Sequence, residues 1–217
     1  MTGRTVRGLA PVLLAALALT GCSSGTDDGG GTGAEGKSST APATATAAPA
    51  AKAGGAVGAA GSGCELPVVF DLAEHWKPKA VAPVEADDPL AALSTQGPVH
   101  MVCEIDAKPA GHIGFLRVWQ GRAGASATPR SVLEGFVKAD ENASKVAYRE
   151  VTSGKTAVTE VTYTLHSEVM DESRPARAFA VATPDGPVVV HLGGLDATEH
   201  RGMLPAYELA RGSVRLG

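Results

Sequence analysis

The stretch Val99-His100-Met101-Val102-Cys103-Glu104-Ile105-Asp106 decides the fold class of this chain. Its odd-numbered positions are all apolar, and this alternation predicts a β-strand with those residues on one face. Residues 112–120 also favour a strand. Between the two, Lys108-Pro109-Ala110-Gly111 carries Pro and Gly at turn positions. The segment is therefore predicted to be a β-hairpin.

A strand precedes this hairpin and a helix follows it. Residues 66–72 have the pattern of a short strand, whereas the prolines within 77–97 predict irregular structure. Thr128 is a predicted helix N-cap because Pro129 stands at the first helical position after it. The apolar residues of this helix form one stripe, made of Val132, Leu133, Phe136 and Val137. We expect the helix to extend to about residue 142.

Further strands and a second helix are predicted in the C-terminal part of the chain. The strands are residues 145–151, 156–166, 176–182 and 187–192, joined in hairpins around Gly154 and Pro184-Asp185-Gly186. Asp196, with Glu199 three residues later, predicts a capping box. The packing residues of the following helix are Met203, Leu204, Tyr207 and Val214. Pro205 should either kink this helix or begin its regular part.

The order of elements predicts an α+β fold, with an antiparallel sheet of about six to seven strands and two packed helices. Within residues 156–166, the face that carries Val161, Tyr163 and Leu165 is the predicted core face, and Glu160 is on the opposite face.

The N-terminus has the three parts of an export signal. Arg4 and Arg7 form a basic region, an apolar run follows, and the run ends in Leu19-Thr20-Gly21-Cys22. This motif resembles a bacterial lipobox, which implies that Cys22 carries acyl chains such as palmitate and that residues 1–21 are removed. An ordinary secretory signal is the alternative. We expect the protein to be lipid-anchored on the outer face of the cell membrane.

Residues 22–63 are predicted to be a lipidated, disordered tether, and residues 64–217 a globular domain. The tether is rich in Ala, Gly, Ser, Thr and Pro and has none of the large apolar residues that form a core.

Removal of the signal leaves 17 basic and 23 acidic residues, a net charge of −6. A mildly acidic chain without a basic patch is a poor nucleic-acid binder, so nucleic acid is not among the expected partners.

Two cysteines remain once Cys22 is assigned to lipid. An even number of cysteines in an exported chain favours a Cys64–Cys103 disulfide that joins the start of the domain to a core strand. Two buried free thiols and redox chemistry are the alternatives, although the chain has no Cys-x-x-Cys motif.

The element order over residues 64–217 resembles the PsbP-like α/β/α sandwich. The residues that support this resemblance are Phe70 and Trp76 near the first strand and the helix after Thr128-Pro129. The stretches 103–111 and 182–189 are similar to those of small streptomycete secreted lipoproteins. This resemblance implies an actinobacterial source and a binding or accessory scaffold, and it carries no assigned chemistry.

Catalytic, metal and nucleotide motifs are absent from the sequence, and we predict no catalytic residues, metal or cofactor. His191, next to Gly193-Gly194, is a candidate catalytic base in the alternative that the protein is an enzyme. His100, Glu104 and Asp106 share a predicted strand face. Glu104 and Asp106 are candidate metal ligands, whereas His100 is too far along the strand to join them unless the strand bends. The simpler interpretation is a solvated polar face for the metal-ligand candidates and a half-exposed strand position for His191.

Trp76 and Trp119 are the candidate binding residues, and burial in the core is the alternative for both.

Three functions of the protein stay open. The first is a non-enzymatic lipoprotein that binds an envelope protein or small ligand, the second an apolar-ligand carrier, and the third an envelope enzyme or metal-binding factor. The largest pocket of the structure should discriminate between them.

Overall fold

A computed structural model describes residues 50–84, 88–89, 91–124 and 127–217. The predicted signal peptide, Cys22 and the first part of the predicted tether lie outside these residues.

The described residues form two helices and eleven strands, all paired antiparallel. The helices are α1 (Pro129–Lys138) and α2 (Ala197–Ser213). The strands are β1 (Ala53–Val57), β2 (Val68–Ala73), β3 (Lys77–Ala80), β4 (Thr95–Gln96), β5 (Val99–Asp106), β6 (Gly114–Gln120), β7 (Ala143–Ser153), β8 (Thr156–Ser167), β9 (Glu172–Val181), β10 (Val188–Gly194) and β11 (Arg215–Leu216). Short 3-10 turns occupy Ala91–Ser94 and Lys108–Ala110. The predicted α+β class is confirmed.

The strands form a large sheet and a small one. In the large sheet the order is β3-β5-β6-β10-β9-β8-β7, with β4 paired to β5. The chain leaves the hairpin at β6, passes through α1 to the far edge at β7, and returns strand by strand to β10. The small sheet has the order β1-β2-β11. Because β10 pairs with β6, the last strand of the meander joins the first hairpin.

Each face of the large sheet is covered by one helix. The predicted stripe of α1 is buried as a whole against one face, where it meets residues such as Trp119, Val161 and Val189. The opposite face packs on α2 and on β2, with Phe179, Tyr207 and Phe70 among the fully buried side chains. Two apolar clusters, one on each face, therefore hold the fold together.

A β-bulge in β5 changes which residues share a face. Met101 lies opposite Trp119, but Cys103 lies opposite Val118, so Val102 is an extra residue in the ladder. Met101 consequently packs on the α1 side and Cys103 on the α2 side. The prediction of one common apolar face for residues 99–105 is therefore wrong. The extra residue reverses the parity of the residues that follow it, and the apolar alternation of the sequence does not show this.

The domain begins before residue 64, so the predicted tether boundary is wrong for residues 50–63. β1 pairs with β2, and Val57 is fully buried. Gly54 allows this pairing because a Cβ at its position would lie 2.6 Å from the Glu74 Cα atom. Composition does not predict a strand of Ala and Gly, because backbone hydrogen bonds, and not large side chains, hold such a strand in the sheet.

Three predicted element bounds also change. Residues 77–80 form β3 despite Pro78, which is tolerated because β3 is at the edge of the sheet. Helix α1 ends at Lys138 and not near residue 142. In the segment that follows the helix, the Asp140 side chain accepts a hydrogen bond from the Asn142 amide. Helix α2 is already regular at Ala197, well before Pro205.

The first turn of α2 is capped by Asp196, whose side chain accepts hydrogen bonds from the amides of Thr198 and Glu199. The Glu199 carboxylate lies 3.3 Å from His112 Nδ1 on the loop before β6. Of the predicted capping box, only the Asp196 hydrogen bonds are therefore observed, because the Glu199 carboxylate contacts the neighbouring loop.

Cys64 and Cys103 form a disulfide, with their Cα atoms 6.0 Å apart. Both cysteines are buried in the α2-side cluster. The bond joins the segment before β2 to β5, and therefore connects the first part of the domain to the large sheet. A closed loop of about 40 residues contributes roughly 4 kcal/mol in the chain-entropy estimate.

A buried charge network joins α2 to the large sheet. Glu160 is 0% exposed and accepts hydrogen bonds from the Tyr207 hydroxyl, at 3.0 Å, and from Arg149 Nε. Arg177 and Arg211 approach the same carboxylate and also contact Glu208 of α2. A buried carboxylate is retained here because several cationic and hydroxyl groups offset its desolvation.

Candidate functional site

The candidate site is an open cleft at the point where β10 separates from β9. The last pair between the two strands is Leu192 with Arg177. Beyond it, β10 stays paired with β6 as far as Gly194, while β9 stays paired with β8 as far as Glu172. The gap is a cleft of about 810 Å³, within the range of about 300–1,000 Å³ typical of small-ligand sites. We call it the β9–β10 cleft.

Two glycines at the end of β10 allow close approaches around this cleft. A Cβ at Gly194 would lie 2.9 Å from the His200 amide nitrogen, so only glycine allows α2 to approach this closely. A Cβ at Gly193 would make ordinary contacts, 3.5 Å to Arg117 Nη1 and 3.6 Å to His191 Cε1. The absence of a side chain at Gly193 therefore uncovers the groups on the floor of the cleft.

Two arginines line the cleft. Arg174 of β9 spans the gap and donates a hydrogen bond from Nη1 to the Gly194 carbonyl, at 2.7 Å. Arg117 of β6 donates from Nε to Glu104, at 2.8 Å, and its Cζ lies 4.8 Å from the centre of the Phe115 ring. A guanidinium has five N–H donors, so each arginine has donors beyond these contacts.

His191 lies between the arginines and the aromatic residues beneath α1. Its ring stacks on Tyr163, with 6.3 Å between ring centres, and contacts Phe136. Nε2 is buried and has no hydrogen-bond partner among the described residues. Burial, with smaller contributions from the charges of Arg117 and Arg174, lowers the pKa of His191 to about 3. His191 is therefore uncharged at neutral pH, and the positive charge of the cleft belongs to the arginines.

The mouth of the cleft is apolar. Ile113, Met170 and Leu195 line it and are 58%, 53% and 50% exposed. They come from three separate segments: the β5–β6 turn, the β8–β9 turn and the entry to α2. Large apolar side chains that cluster while exposed indicate a contact surface for a ligand or partner.

Carboxylates also line the cleft, but at its edge. Asp171 of the β8–β9 turn and Glu172 at the start of β9 are exposed, and the Asp196 side chain accepts the α2 amide hydrogen bonds. The arrangement is therefore a cationic floor with an apolar mouth and a solvated acidic edge.

The residues predicted to bind a ligand do not come together at this cleft. Trp76 and Trp119 are 6% and 5% exposed, and they pack on opposite faces of the large sheet. Trp119 lies edge-on to Phe136, and Trp76 borders a smaller hollow of about 260 Å³ beside α2. A ligand role for either tryptophan stays a prediction.

The candidate metal ligands are also separated. Glu104 pairs with Arg117, and Asp106 accepts a hydrogen bond from the Lys108 amide. The bulge in β5 places His100 on the other face from Glu104, so the predicted common face of these three residues is wrong. Among the described residues no three metal-ligating side chains lie together.

Sequence reasoning identified His191 but missed Arg174. The signal for the site was Gly193-Gly194 at the end of a predicted strand, because paired glycines often mark a close backbone approach or a break in strand pairing. Nothing in the local sequence shows that β9 brings Arg174 to the same place, since that depends on the register of two strands.

The described domain is an α+β protein with two antiparallel sheets, a helix on each face of the larger one, and a ligand-sized cleft. Residues 34–214 match the model of a family described as "Uncharacterised lipoprotein". The chain therefore belongs to this family of lipoproteins. Neither helix in the part of the chain that the structure describes has the length and hydropathy to cross a membrane.

The solution structure of cyanobacterial PsbP from Synechocystis sp. PCC 6803 is among the solved structures that are similar in part to this chain. Its TM-score is 0.45 and its sequence identity is 11%. The similarity covers 70% of this chain and 87% of that chain. At this degree of overlap it carries no functional conclusion. No curated protein matches the sequence.

Proposed function

We propose that this lipoprotein is a lipid-anchored, extracytoplasmic binding protein, not an enzyme, and that the β9–β10 cleft is its ligand site. The observation that carries the proposal is the cationic floor and apolar mouth of one ligand-sized cleft, built from three separate segments of the chain. The lipobox-like motif at Cys22 and the family membership support the lipid anchor and the extracytoplasmic location. The actinobacterial source stays a prediction from the resemblance to streptomycete proteins.

The chemistry of His191 supports binding over catalysis. A general base works best with a pKa near the working pH, and burial lowers the pKa of His191 to about 3. A catalytic histidine is also usually oriented by a carboxylate or a carbonyl group. The Nε2 atom of His191 is buried and has no such partner among the described residues.

A second cluster at the edge of the cleft is the strongest argument for an enzyme. His166 Nδ1 lies 3.3 Å from Ser173 Oγ, and its Nε2 lies 3.9 Å from Asp171. These are the residue types of a hydrolase triad. However, Asp171 is 98% exposed and beyond hydrogen-bond distance, so water competes for every contact. The cluster therefore favours a solvated turn.

A carrier for purely apolar molecules is also less favoured. The apolar side chains on both faces of the large sheet pack into two filled clusters. An uncharged cargo in the cleft would displace water from Arg117 and Arg174 without offering an acceptor, and this costs free energy.

The test is native mass spectrometry of the protein purified from its producing cells. The informative variant is Gly193→Leu, which should fill the floor of the cleft. Gly212→Leu is the matched control, because a Cβ there meets nothing within 4 Å at the exposed end of α2. We expect a small-molecule adduct on the wild type and the control and its loss in Gly193→Leu, with equal melting midpoints.

Two results would contradict the proposal. The first is an adduct of equal occupancy in Gly193→Leu, which would place the ligand elsewhere. The second is labelling of Ser173 by a fluorophosphonate probe that is lost in His166→Gln, which would identify an active serine hydrolase.

A further inference from the structure

We infer that the ligand of the β9–β10 cleft is a single-headed anionic amphiphile, with a carboxylate or phosphate held by Arg117 and Arg174 and an apolar body along the mouth. The inference rests on the proposed function, since it assigns a chemical class to the ligand of the same cleft.

The two guanidinium groups supply the donors for the head. Arg174 is held in the gap by its hydrogen bond to the Gly194 carbonyl, which leaves its other N–H groups for a ligand. Arg117 Nη1 faces the space above Gly193, where a Cβ would lie 3.5 Å away. Planar guanidinium groups bind carboxylate and phosphate oxygens in pairs.

The charges around the floor favour a head with one anionic group, a carboxylate or a phosphate, over a head with two such groups. Glu104 forms an ion pair with Arg117 and offsets one of the two positive charges. His191 is uncharged and adds none. One positive charge therefore remains to be balanced by the ligand. The exposed carboxylates of Asp171 and Glu172 at the edge would repel a second anionic group.

The apolar mouth indicates that the ligand has an apolar body, which a small inorganic ion lacks. Ile113, Met170 and Leu195 are each about half exposed, and Phe115 lies below them in the same cleft. Burial of apolar surface contributes about 25 cal/mol per Å², so an alkyl or aromatic body would gain free energy from these contacts. The head and the mouth together favour an amphiphile.

The test is isothermal titration calorimetry with the chain that starts at residue 23, which retains every described residue and lacks the lipid. The probes are dodecanoate, dodecyl phosphate, dodecanol and inorganic phosphate, each below its micellar concentration. We expect both anionic amphiphiles to bind at least about tenfold more tightly than dodecanol, because a charge-assisted hydrogen bond has roughly that effect on affinity. Inorganic phosphate should bind more weakly than either.

Two variants separate an electrostatic role from a structural one. Arg174→Gln should weaken dodecanoate binding by roughly tenfold or more, since it removes the charge that faces the head. Glu104→Gln should strengthen binding, because Arg117 then keeps its full charge for the ligand. If Arg174 and Glu104 had only a structural role, the two substitutions would not change the dodecanoate affinity in opposite directions. Gly212→Leu should bind like the wild type.

A membrane lipid and a free amphiphile are two sources of the same chemistry. Flotation with phosphatidylglycerol vesicles, against phosphatidylcholine vesicles, distinguishes them. Binding to the anionic vesicles that is lost in Arg174→Gln identifies a lipid headgroup, and binding of soluble dodecanoate alone identifies a free ligand. Both results support the inference.

The inference is overturned if dodecanol binds as tightly as dodecanoate, or if Arg174→Gln and Glu104→Gln leave the dodecanoate affinity unchanged. It is equally overturned if no amphiphile binds. None of these results decides the proposed function, which depends on the adduct seen by native mass spectrometry and its loss in Gly193→Leu.

Discussion

At the scale of single residues, the folded protein keeps two histidines uncharged. Burial is the main cause for both: it lowers the pKa of His191 to about 3 and that of His200 to about 4, and nearby arginine charges contribute. A histidine in an unfolded chain titrates near pH 6.5. Between the two pKa values the unfolded chain binds protons that the folded chain does not, so the stability is complete above about pH 6.5 and falls as the pH is lowered.

We predict that His191→Gln reduces this loss of stability in acid. Each histidine adds a slope of at most about 1.4 kcal/mol per pH unit to the free energy of unfolding, and glutamine cannot titrate. Urea unfolding at pH 7.5, 5.5 and 4.5 measures the slope for the variant and the wild type. The exposed His100→Gln variant is the control and should match the wild type. An unchanged slope in His191→Gln would mean that the folded protein does not keep this histidine uncharged.

At the scale of elements, β1 shows that a segment of small residues can belong to a core. Its backbone pairs with β2, and its last residue, Val57, is fully buried. Complete burial of a valine side chain stabilises by about 1.5–3 kcal/mol. Neighbouring glycines of β1 differ in their surroundings, because a Cβ at Gly54 would lie 2.6 Å from the Glu74 backbone and one at Gly55 meets nothing within 4 Å.

We predict that Gly54→Ala destabilises the protein by roughly 1–3 kcal/mol, the usual cost of forcing an extra methyl group into a packed site. Gly55→Ala is the matched control and should change the free energy of unfolding by less than about 0.5 kcal/mol. Thermal or urea unfolding of both variants provides the comparison. Equal stabilities would indicate that residues 53–57 are not packed on β2, as a disordered tether would require.

At the scale of the whole molecule, the predicted lipid anchor and the described domain occupy different parts of the sequence. The predicted acyl chains are on Cys22, whereas the first described strand, β1, begins at Ala53. Two or more acyl chains hold a protein stably on a bilayer, and a chain with a net negative charge has no electrostatic substitute for them.

We predict that Cys22→Ala moves the protein from the membrane fraction to the soluble fraction without changing the melting midpoint of the domain. Detergent phase partitioning and immunoblotting measure the distribution, and Ser23→Ala is the control that should stay with the membrane. Retention of Cys22→Ala on the membrane would show that another part of the chain provides the attachment.

Local sequence patterns were sufficient for much of the secondary structure. The β5–β6 hairpin, the apolar stripe of α1 and the Asp196 cap of α2 all follow from residues close together in the chain, whose spacing matches the period of a strand or helix. The failures have a different physical origin. The bulge at Val102, the pairing of β1 and the burial of Glu160 each depend on a partner strand or helix that local spacing does not reveal.

The sequence by itself therefore determined a domain of α+β type and a cysteine pair suited to one disulfide, and it predicts an export signal with a lipobox-like motif. The tertiary structure alone decided the candidate site. Arg117, Arg174 and His191 lie on three strands, and they meet because β6, β10 and β9 are neighbours in the large sheet and because β10 leaves β9 after Leu192. Strand order and register are non-local properties, since long-range pairing determines them and no short segment contains that information.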